Sequence, residues 1–415
     1  MAVAATLLGA GADAVPDEAA GPRVLAHYMP WFRAEPQPDG TMAWDHWQWF
    51  GKGTKHDPSS IRPDGRRDIA SVYDPLIGPY DGRDPDVLEY HFLSARAAGI
   101  EGFIADWYGP GVYTDEVFAR MLPVAEAQGM KVAVCLEEKS FYPDYAPVAT
   151  REEAVDEMVR QVRYVLDRYA GSPAYWHHGG KPVLLMFRNH KEGRLGRHVL
   201  RPDELKRAIA MVGRAFQLVP GHADAEYVDA ARATFSWLAE TNDLAAYYAS
   251  AQELERLGRI DLWMASVNPG FDDSGVWGWG NGPRLVERRG FSEYLRYWEA
   301  VRQHKPAVVQ VVTWNDFGEG TTIEPAHPYG FDYLDVTEQQ VEAFTGRRAD
   351  LRDNAWPYRI YRLRRALADV EDQARRDASR AALDAFVEGM REGRRFLMNW
   401  KLRRLEQKLN VEGSP

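Results

Sequence analysis

A glycine that ends one amphipathic run and hands the chain to a short apolar one, again and again, is the feature that most restricts what this sequence can become. The apolar runs are Val24–Tyr28, Gly102–Asp106, Lys131–Leu136, Pro182–Phe187, Ala215–Val219, Thr234–Trp237, Leu262–Val267 and Val308–Thr313. Helical segments with readable ends lie between them. Pro85–Ala98 opens with Asp84 as cap and proline at the first helical position, and stops at Gly99. Asp115–Gln128 stops at Gly129, and Arg151–Ala170, with Thr150 and Glu153 in capping-box spacing, ends at Gly171. Asp203–Val212 and Leu244–Leu257 end at Gly213 and Gly258, and Gly290–His304 precedes Pro306. Strand, helix, glycine, strand is the βαβ pattern of a parallel sheet. Eight such units over about 320 residues suit a closed (β/α)8 TIM barrel better than an open sheet.

The barrel is expected over 23–346. Beyond about Asp350 the strand candidates stop, and Tyr358–Gln407 is a charged, arginine-rich, helix-forming run. Residues 347–415 are therefore expected to form a helical C-terminal extension packed on the barrel. Its basic, amphipathic last stretch, Arg391–Gln407, also suits a membrane surface or a partner helix. Residues 1–22 end a small-residue apolar stretch in Ala12-Asp13-Ala14, like the later part of a signal peptide, without the basic start. They read as a truncated signal peptide, implying a secreted or periplasmic protein, or as a disordered tail on a cytoplasmic one. No other segment is long and apolar enough to span a membrane.

The formal charge of −10 argues against nucleic acid or anionic lipid as the main partner, since both need basic surfaces. One cysteine, Cys135, sits inside an apolar run, so no disulfide forms within the chain and thiolate metal sites are not expected. It reads as a small buried hydrophobe. The chain carries 14 Trp, 20 Tyr and 16 Phe, many in segments that read as loops, which suits sugar stacking as well as packing.

Barrel active sites are built at the C-terminal ends of the strands, and candidate residues cluster there. The first such loop, from about Met29 to Arg83, is long enough to be functional and holds Trp31, Trp44, Asp45, His46, Trp47, Trp49 and Tyr80. Asp106, Trp107 and Tyr108 follow the second strand, Glu137 and Glu138 the third, Asn189 and His190 the fourth, His222 the fifth and Glu240 the sixth. After the seventh come Asn268, Phe271, Asp272, Asp273 and the segment Trp277-Gly278-Trp279; after the eighth, Trp314 to Gly320. Carboxylates, amides and aromatics converging on one rim are the equipment of a glycosidase. An acidic residue at a strand end is more often a helix cap, as Glu138 or Asp273 taken alone would be. A metal-dependent hydrolase needs spaced His and Asp ligands, but the one close pair, His177-His178, precedes the fourth strand, on the opposite face; neither a metal nor another cofactor is expected. Gly109-Pro110-Gly111 and Gly280-Asn281-Gly282 lack the context of phosphate loops and read as turns.

The stretch Val312-Thr313-Trp314-Asn315-Asp316-Phe317-Gly318-Glu319-Gly320-Thr321-Thr322-Ile323-Glu324-Pro325 resembles the active-site strand of glycoside hydrolase families 71 and 99. Tyr28-Met29-Pro30-Trp31-Phe32, Arg67-Asp68-Ile69-Ala70-Ser71, Gly78-Pro79-Tyr80, Ala105-Asp106-Trp107-Tyr108 and Lys131 to Glu137 extend the likeness, in order, over roughly Val24–Asp335. The resemblance implies an α-glycan hydrolase acting on α-mannoside or α-glucan. By the family 99 pattern Glu319 matches the general acid, Asp316 stands where a Glu acts as base on the sugar's own 2-hydroxyl, and Glu137 matches a substrate-binding Glu. Asp is one methylene shorter, so its carboxylate sits about 1–1.5 Å further back. That moves the expected geometry towards an inverting separation of roughly 6.5–9.5 Å.

The resulting expectation is an O-glycosyl hydrolase of an oligo- or polysaccharide, with Asp316 and Glu319 catalytic. Glu137, Asp106, Asn315, Tyr80 and Tyr28 are expected to hold hydroxyls, with Trp31, Trp44, Trp47, Trp107 and Tyr108 as stacking surfaces. The rival readings are a non-catalytic glycan-binding barrel, against which the intact Asp316/Glu319 pair argues, and a polysaccharide-assembly enzyme, which would need a basic rim.

Overall fold

The computed structural model describes residues 21–188, 192–193, 196–197, 200–221, 225–237, 244–349, 351, 353–392 and 398–411. Asn189, His190, His222, Glu240 and the signal-like start of the chain lie outside them. All eight expected strands are present: β1 (Arg23–Tyr28), β2 (Gly102–Trp107), β3 (Lys131–Glu137), β4 (Lys181–Phe187), β5 (Gln217–Pro220), β6 (Ala233–Phe235), β7 (Leu262–Val267) and β8 (Val308–Val311). They pair in parallel in chain order, with β1 between β8 and β2. A parallel bridge between Gly221 and Phe235 joins the β5 and β6 ends of the sheet and closes the barrel. Strands enclosed on both faces read as nearly continuous apolar runs, which is why LWMASV of β7 is buried throughout.

Successive side chains point to opposite faces of a strand, and the two sets separate cleanly here. Leu25, Ile104, Ala133, Cys135, Val183 and Leu185 fill the barrel interior. Val24, Ala26, Tyr28, Phe103, Ala105, Trp107, Leu184 and Met186 belong to the layer between sheet and helices.

The surrounding helices are α1 (Pro85–Ala97), α2 (Tyr113–Gln128), α3 (Arg151–Arg168), α4 (Pro202–Val212), α5 (Ala225–Ala231), α6 (Leu244–Arg256), α7 (Ser292–His304) and α8 (Asp332–Thr345). The Asp84 side chain caps α1 by accepting from the Asp86 N–H at 2.9 Å, and Gly129, Gly213 and Gly346 end α2, α4 and α8 in the left-handed conformation that glycine adopts without strain. Helix α7 begins two residues later than its sequence suggests, because Arg289 and Gly290 both have positive φ and cannot continue a right-handed helix. Helices α5 and α8 have no counterpart in the sequence reading, although Gly346 marks the end of α8.

Beyond the barrel, α9 (Trp356–Ala366), α10 (Gln373–Arg391) and α11 (Met398–Leu409) bury a separate apolar cluster that includes Leu93 and Ala97 of α1. Arg364 reaches Glu89 of α1 with two hydrogen bonds of 2.8 and 3.0 Å, and Arg359 is paired with Glu406 at 2.7 and 2.8 Å. No helix among the described residues is long and apolar enough to cross a membrane.

Gly102 shows how closely the barrel strands approach. A Cβ there would lie 2.0 Å from the carbonyl oxygen of Lys131 on the neighbouring strand, a backbone atom with nowhere to go. Gly102→Ala is expected to lower stability by about 1–3 kcal/mol through forced strand separation. It would be read as a lower denaturant midpoint at unchanged slope; an unaltered midpoint would contradict this packing.

Candidate active site

At the C-terminal end of the barrel a cavity of about 530 Å³ is lined by His27, Met29, Trp31, His46, Asp106, Tyr108, Glu137, Lys139, Tyr145, Phe187, Trp237, Trp279, Asp316 and Glu319. A larger hollow of about 860 Å³ opens at the opposite end, beside Arg23, His177, His178, Arg302 and Lys305. Among the described residues no carboxylate lines it, so it offers no carboxyl pair. The carboxyl pairs lie in the smaller cavity, which makes it the candidate site.

Six of the twelve residues expected in the site line this cavity: Trp31, Asp106, Tyr108, Glu137, Asp316 and Glu319. The other six pack into its supporting wall, for physical reasons that can be named. Tyr28 and Trp107 have the outward parity of their strands. The Tyr28 hydroxyl stands 3.0 Å from His91 Nδ1, and the Trp107 indole donates to Asp115 at 3.0 Å, both among the helices. Trp47 is fully buried against Phe32, with centroids 4.2 Å apart, and donates to the carbonyl of Tyr80 at 2.8 Å. Trp44 is buried, donates to Ser59 at 3.2 Å, and lies beneath the Arg67 guanidinium. These two tryptophans form the core that the long first loop needs for its own stability.

Asn315 and Tyr80 are fixed within the same wall. The Asn315 side chain accepts from the Met29 N–H at 2.7 Å and donates to the Met29 carbonyl and to the Tyr80 hydroxyl, each at 3.0 Å. Tyr80 in turn donates to Glu324 at 2.8 Å. The end of β8 is thereby tied to the end of β1, with Asp316 next in sequence to the tie.

Asp316 is almost wholly buried. Its backbone N–H donates to Thr313 Oγ1 at 2.8 Å, and its own Oδ1 accepts from the Glu319 N–H at 2.9 Å. Burial pushes its pKa well above the ordinary carboxylate range and the Glu319 charge pushes it further, against two backbone N–H groups that favour the ionised form. The Glu319 side chain is 22% exposed and faces the cavity. Burial raises its pKa too, opposed by the Trp279 indole N–H, 3.2 Å from Oε1, and by Arg284 at 4.0 Å.

A second carboxyl pair, Asp106 and Glu137, shares a hydrogen bond across the ends of β2 and β3. Burial, then the Glu137 charge, pushes Asp106 well up, so Asp106 keeps the shared proton. Burial raises Glu137 as well, against the Lys139 ammonium 3.3 Å away. Burial opposes the charge on Lys139, yet the two carboxyls hold its pKa above the usual value. Lys139 also stands over the Tyr108 ring at 4.6 Å.

The cavity also contains His27, Met29, Lys139, Tyr145, Phe187 and Trp237, which the sequence did not point to, and His46 and Trp279, which it placed on the rim without a role. Strand parity would have found His27, which shares the inward face with Leu25. His27, Asp106 and Cys135 bring one potential ligand atom each within 4.8 Å of one another, a grouping that a lone cysteine did not suggest. Burial lowers the His27 pKa to about 3 and raises those of Asp106 and Cys135, so the thiol and Asp106 keep their protons and are poor ligands in that state.

Trp279 comes from a hairpin that leaves β7 and returns through the antiparallel pair Phe271–Asp272 and Leu285–Val286. At its tip Trp277, Gly278 and Trp279 all take left-handed φ values of 48°, 58° and 52°. Such a conformation costs roughly 1–2 kcal/mol for each non-glycine residue, and local contacts hold it. The buried Asp273 accepts from Arg284 N and Nε at 2.6 and 2.9 Å, and its carbonyl receives the Gly278 N–H at 2.9 Å.

With this geometry in place, comparison with known proteins is informative. The family model described as Glycosyl hydrolase family 99 matches residues 22–194. A glycoprotein endo-alpha-1,2-mannosidase of Rattus norvegicus is 25% identical over 338 residues, covering 74% of this chain and 68% of its own. A glycoprotein endo-alpha-1,2-mannosidase-like protein of Danio rerio is 26% identical over 333 residues, covering 72% and 70%. The solved structure of a GH99 endo-alpha-mannosidase from Bacteroides thetaiotaomicron shares the fold, with a TM-score of 0.62 at 20% identity over 78% of this chain and 97% of that one. A structure described as a glycoside hydrolase-like protein aligns at a TM-score of 0.54 and 15% identity. Barrel, carboxylate-lined cavity and relatives agree on a glycosidase, one that is similar to glycosyl hydrolase family 99 over residues 22–194.

Proposed function

We propose that this glycosidase cleaves α-mannosidic linkages in an oligo- or polysaccharide, with Glu319 as general acid and Asp316 as base. The observation that carries the reading is the meeting of these two carboxyls in one cavity, unequal in exposure. Glu319 is the more accessible and lies on the cavity side, where it can protonate the oxygen of the departing sugar. Asp316 is held rigidly by Thr313 and by the N–H of Glu319, and acts on water or on the sugar's 2-hydroxyl. Asp106 and Glu137, one proton between them, suit hydroxyls that both donate and accept. Trp31 and Tyr108 offer apolar faces, while Tyr28, Trp44, Trp47, Tyr80, Trp107 and Asn315 hold the wall in register. Mannose as the sugar rests on the activities named for the relatives. The division into a catalytic barrel over 23–346 and a helical extension over 347–415 belongs to the same reading, supported by the separate apolar cluster of α9–α11.

Reducing-sugar release from a panel of α-mannans, α-glucans and capsular polysaccharides tests this directly. Activity is expected on α-mannan, and Glu319→Gln and Asp316→Asn should each lose about 10²–10⁴-fold. Tight binding of one polymer by the wild type with no release of sugar would replace the hydrolase with a glycan-binding barrel.

The pH profile carries a signed prediction. Asp316 must be ionised, so activity is lost as pH falls through a pKa lying above the usual carboxylate value. Glu319 must be protonated, so its raised pKa carries activity upward in pH before it is lost on the alkaline side. The Trp279 N–H favours the ionised form of Glu319. Trp279→Phe removes that donor, and the alkaline limb of kcat/KM should move to higher pH. A limb that stays in place or moves down would remove Glu319 from the acid role.

A further inference from the structure

Trp279 lines the cavity, yet no role assigned above to the acid, the base or the hydroxyl-holding groups accounts for how it is presented. It is 39% exposed, more than Trp31 or Trp237, the other indoles on the cavity wall. Two rings stand against it at steep angles. Trp49 meets it edge-on, with centroids 5.8 Å apart and planes at 81°, and His46 does the same at 6.3 Å and 68°. Below it the backbone comes close, for a Cβ on Gly318 would lie only 3.1 Å from the indole. The adjoining Trp277 is wedged where Gly53 of the first loop has no side chain, a Cβ there falling 1.9 Å from its ring. Contacts from the first loop and from the loop after β8 thus fix an indole that stays well exposed beside a carboxyl.

We propose that the face of Trp279 is the platform on which the sugar on the leaving-group side of the scissile bond stacks, with the edges of Trp49 and His46 closing the subsite. The inference rests on Glu319 being the acid. The indole nitrogen is within hydrogen-bond distance of the group that protonates the departing oxygen, so its ring lies beside the sugar that carries that oxygen. A neutral sugar is the ligand class that fits. It needs an apolar face and nearby acceptors, whereas an anionic ligand would need a cation, and Arg284 is committed to Asp273. An indole serving only as packing would not be held in a left-handed turn while staying this exposed.

Wild type, Trp279→Ala and Trp279→Phe, all checked by circular dichroism, are compared on α-mannan and on α-mannobiosyl fluoride. The fluoride carries no sugar on its leaving side and needs little protonation. The Ala variant should lose about tenfold more kcat/KM on mannan than on the fluoride, a loss the size of one aromatic contact and seen mainly in KM. The Phe variant, which retains a ring, should recover most of the KM. Trp49→Ala, which removes an edge of the subsite and leaves the hairpin in place, should shift the same ratio in the same direction. A mannan-to-fluoride ratio unchanged in Trp279→Ala and in Trp49→Ala overturns the platform and leaves the acid assignment standing. Wild-type mannan cleavage by Glu319→Gln overturns the acid assignment instead.

Discussion

Everything at the active end of this protein depends on the parity of side chains along strands that close into a barrel. Closure gives each strand an enclosed face and a helix-covered face, and a shift of one residue exchanges them. On β1 the inward set is Leu25 and His27; on β2 it is Ile104 and Asp106; on β3 it is Ala133, Cys135 and Glu137. The outward set on the same strands ends in Tyr28, Trp107 and Leu136, all packed against helices. Carboxyls meet in one cavity because two strand ends and one loop deliver them at matching parity and height.

Concentrating four carboxyls in about 530 Å³ creates an electrostatic problem that the surroundings answer locally. Burial disfavours each charge, and each charge disfavours the others. The response differs between the two pairs. Asp106 and Glu137 share a proton and have Lys139 beside them. Asp316 and Glu319 instead rely on oriented N–H groups, the Glu319 amide on one and the Trp279 indole on the other, with Arg284 at the edge. Dipoles of that kind stabilise charge without a mobile counter-ion in the sugar's path, as electrostatic preorganisation requires. One pair is thereby suited to holding hydroxyls and the other to changing protonation state.

Much of this was legible from residues alone, and what was not has identifiable causes. The glycine-ended helices and apolar runs located all eight strands, β7 to the residue, because local propensity and barrel topology agree there. The strand-8 motif marked Asp316 and Glu319 by family resemblance. Tyr28 and Trp107 suit a site by chemistry, but the parity rule turns them outward and selects His27 beside the expected Asp106. Trp44 and Trp47 looked like sugar platforms because aromatic residues in a long loop resemble a binding surface. That loop, however, must bury an apolar core of its own to stay ordered, and these two indoles do so. The His27–Asp106–Cys135 grouping and the approach of Trp279 to Glu319 join residues far apart in sequence. Neither leaves a signal in spacing.

The hairpin after β7 shows how stability and site geometry are traded in this fold. Trp277 and Trp279 sit where L-residues are disfavoured by roughly 1–2 kcal/mol each, so the segment would relax if left to itself. Asp273 prevents this: deeply buried, it is engaged by two nitrogens of Arg284, and its carbonyl anchors Gly278. A buried carboxylate loses its hydrogen bonds when its partner is removed, so Arg284 acts on the cavity twice. It keeps the strained tip folded through Asp273 and lowers the cost of charge on Glu319 directly. Strain held in this way at a site of chemistry fixes an aromatic face to a definite position, where a loop of relaxed conformations would leave it to wander. The shape of the cavity near Glu319 and the integrity of the hairpin are consequently one property, set by the pairing of a buried Asp273 with an exposed Arg284 outside the cavity itself.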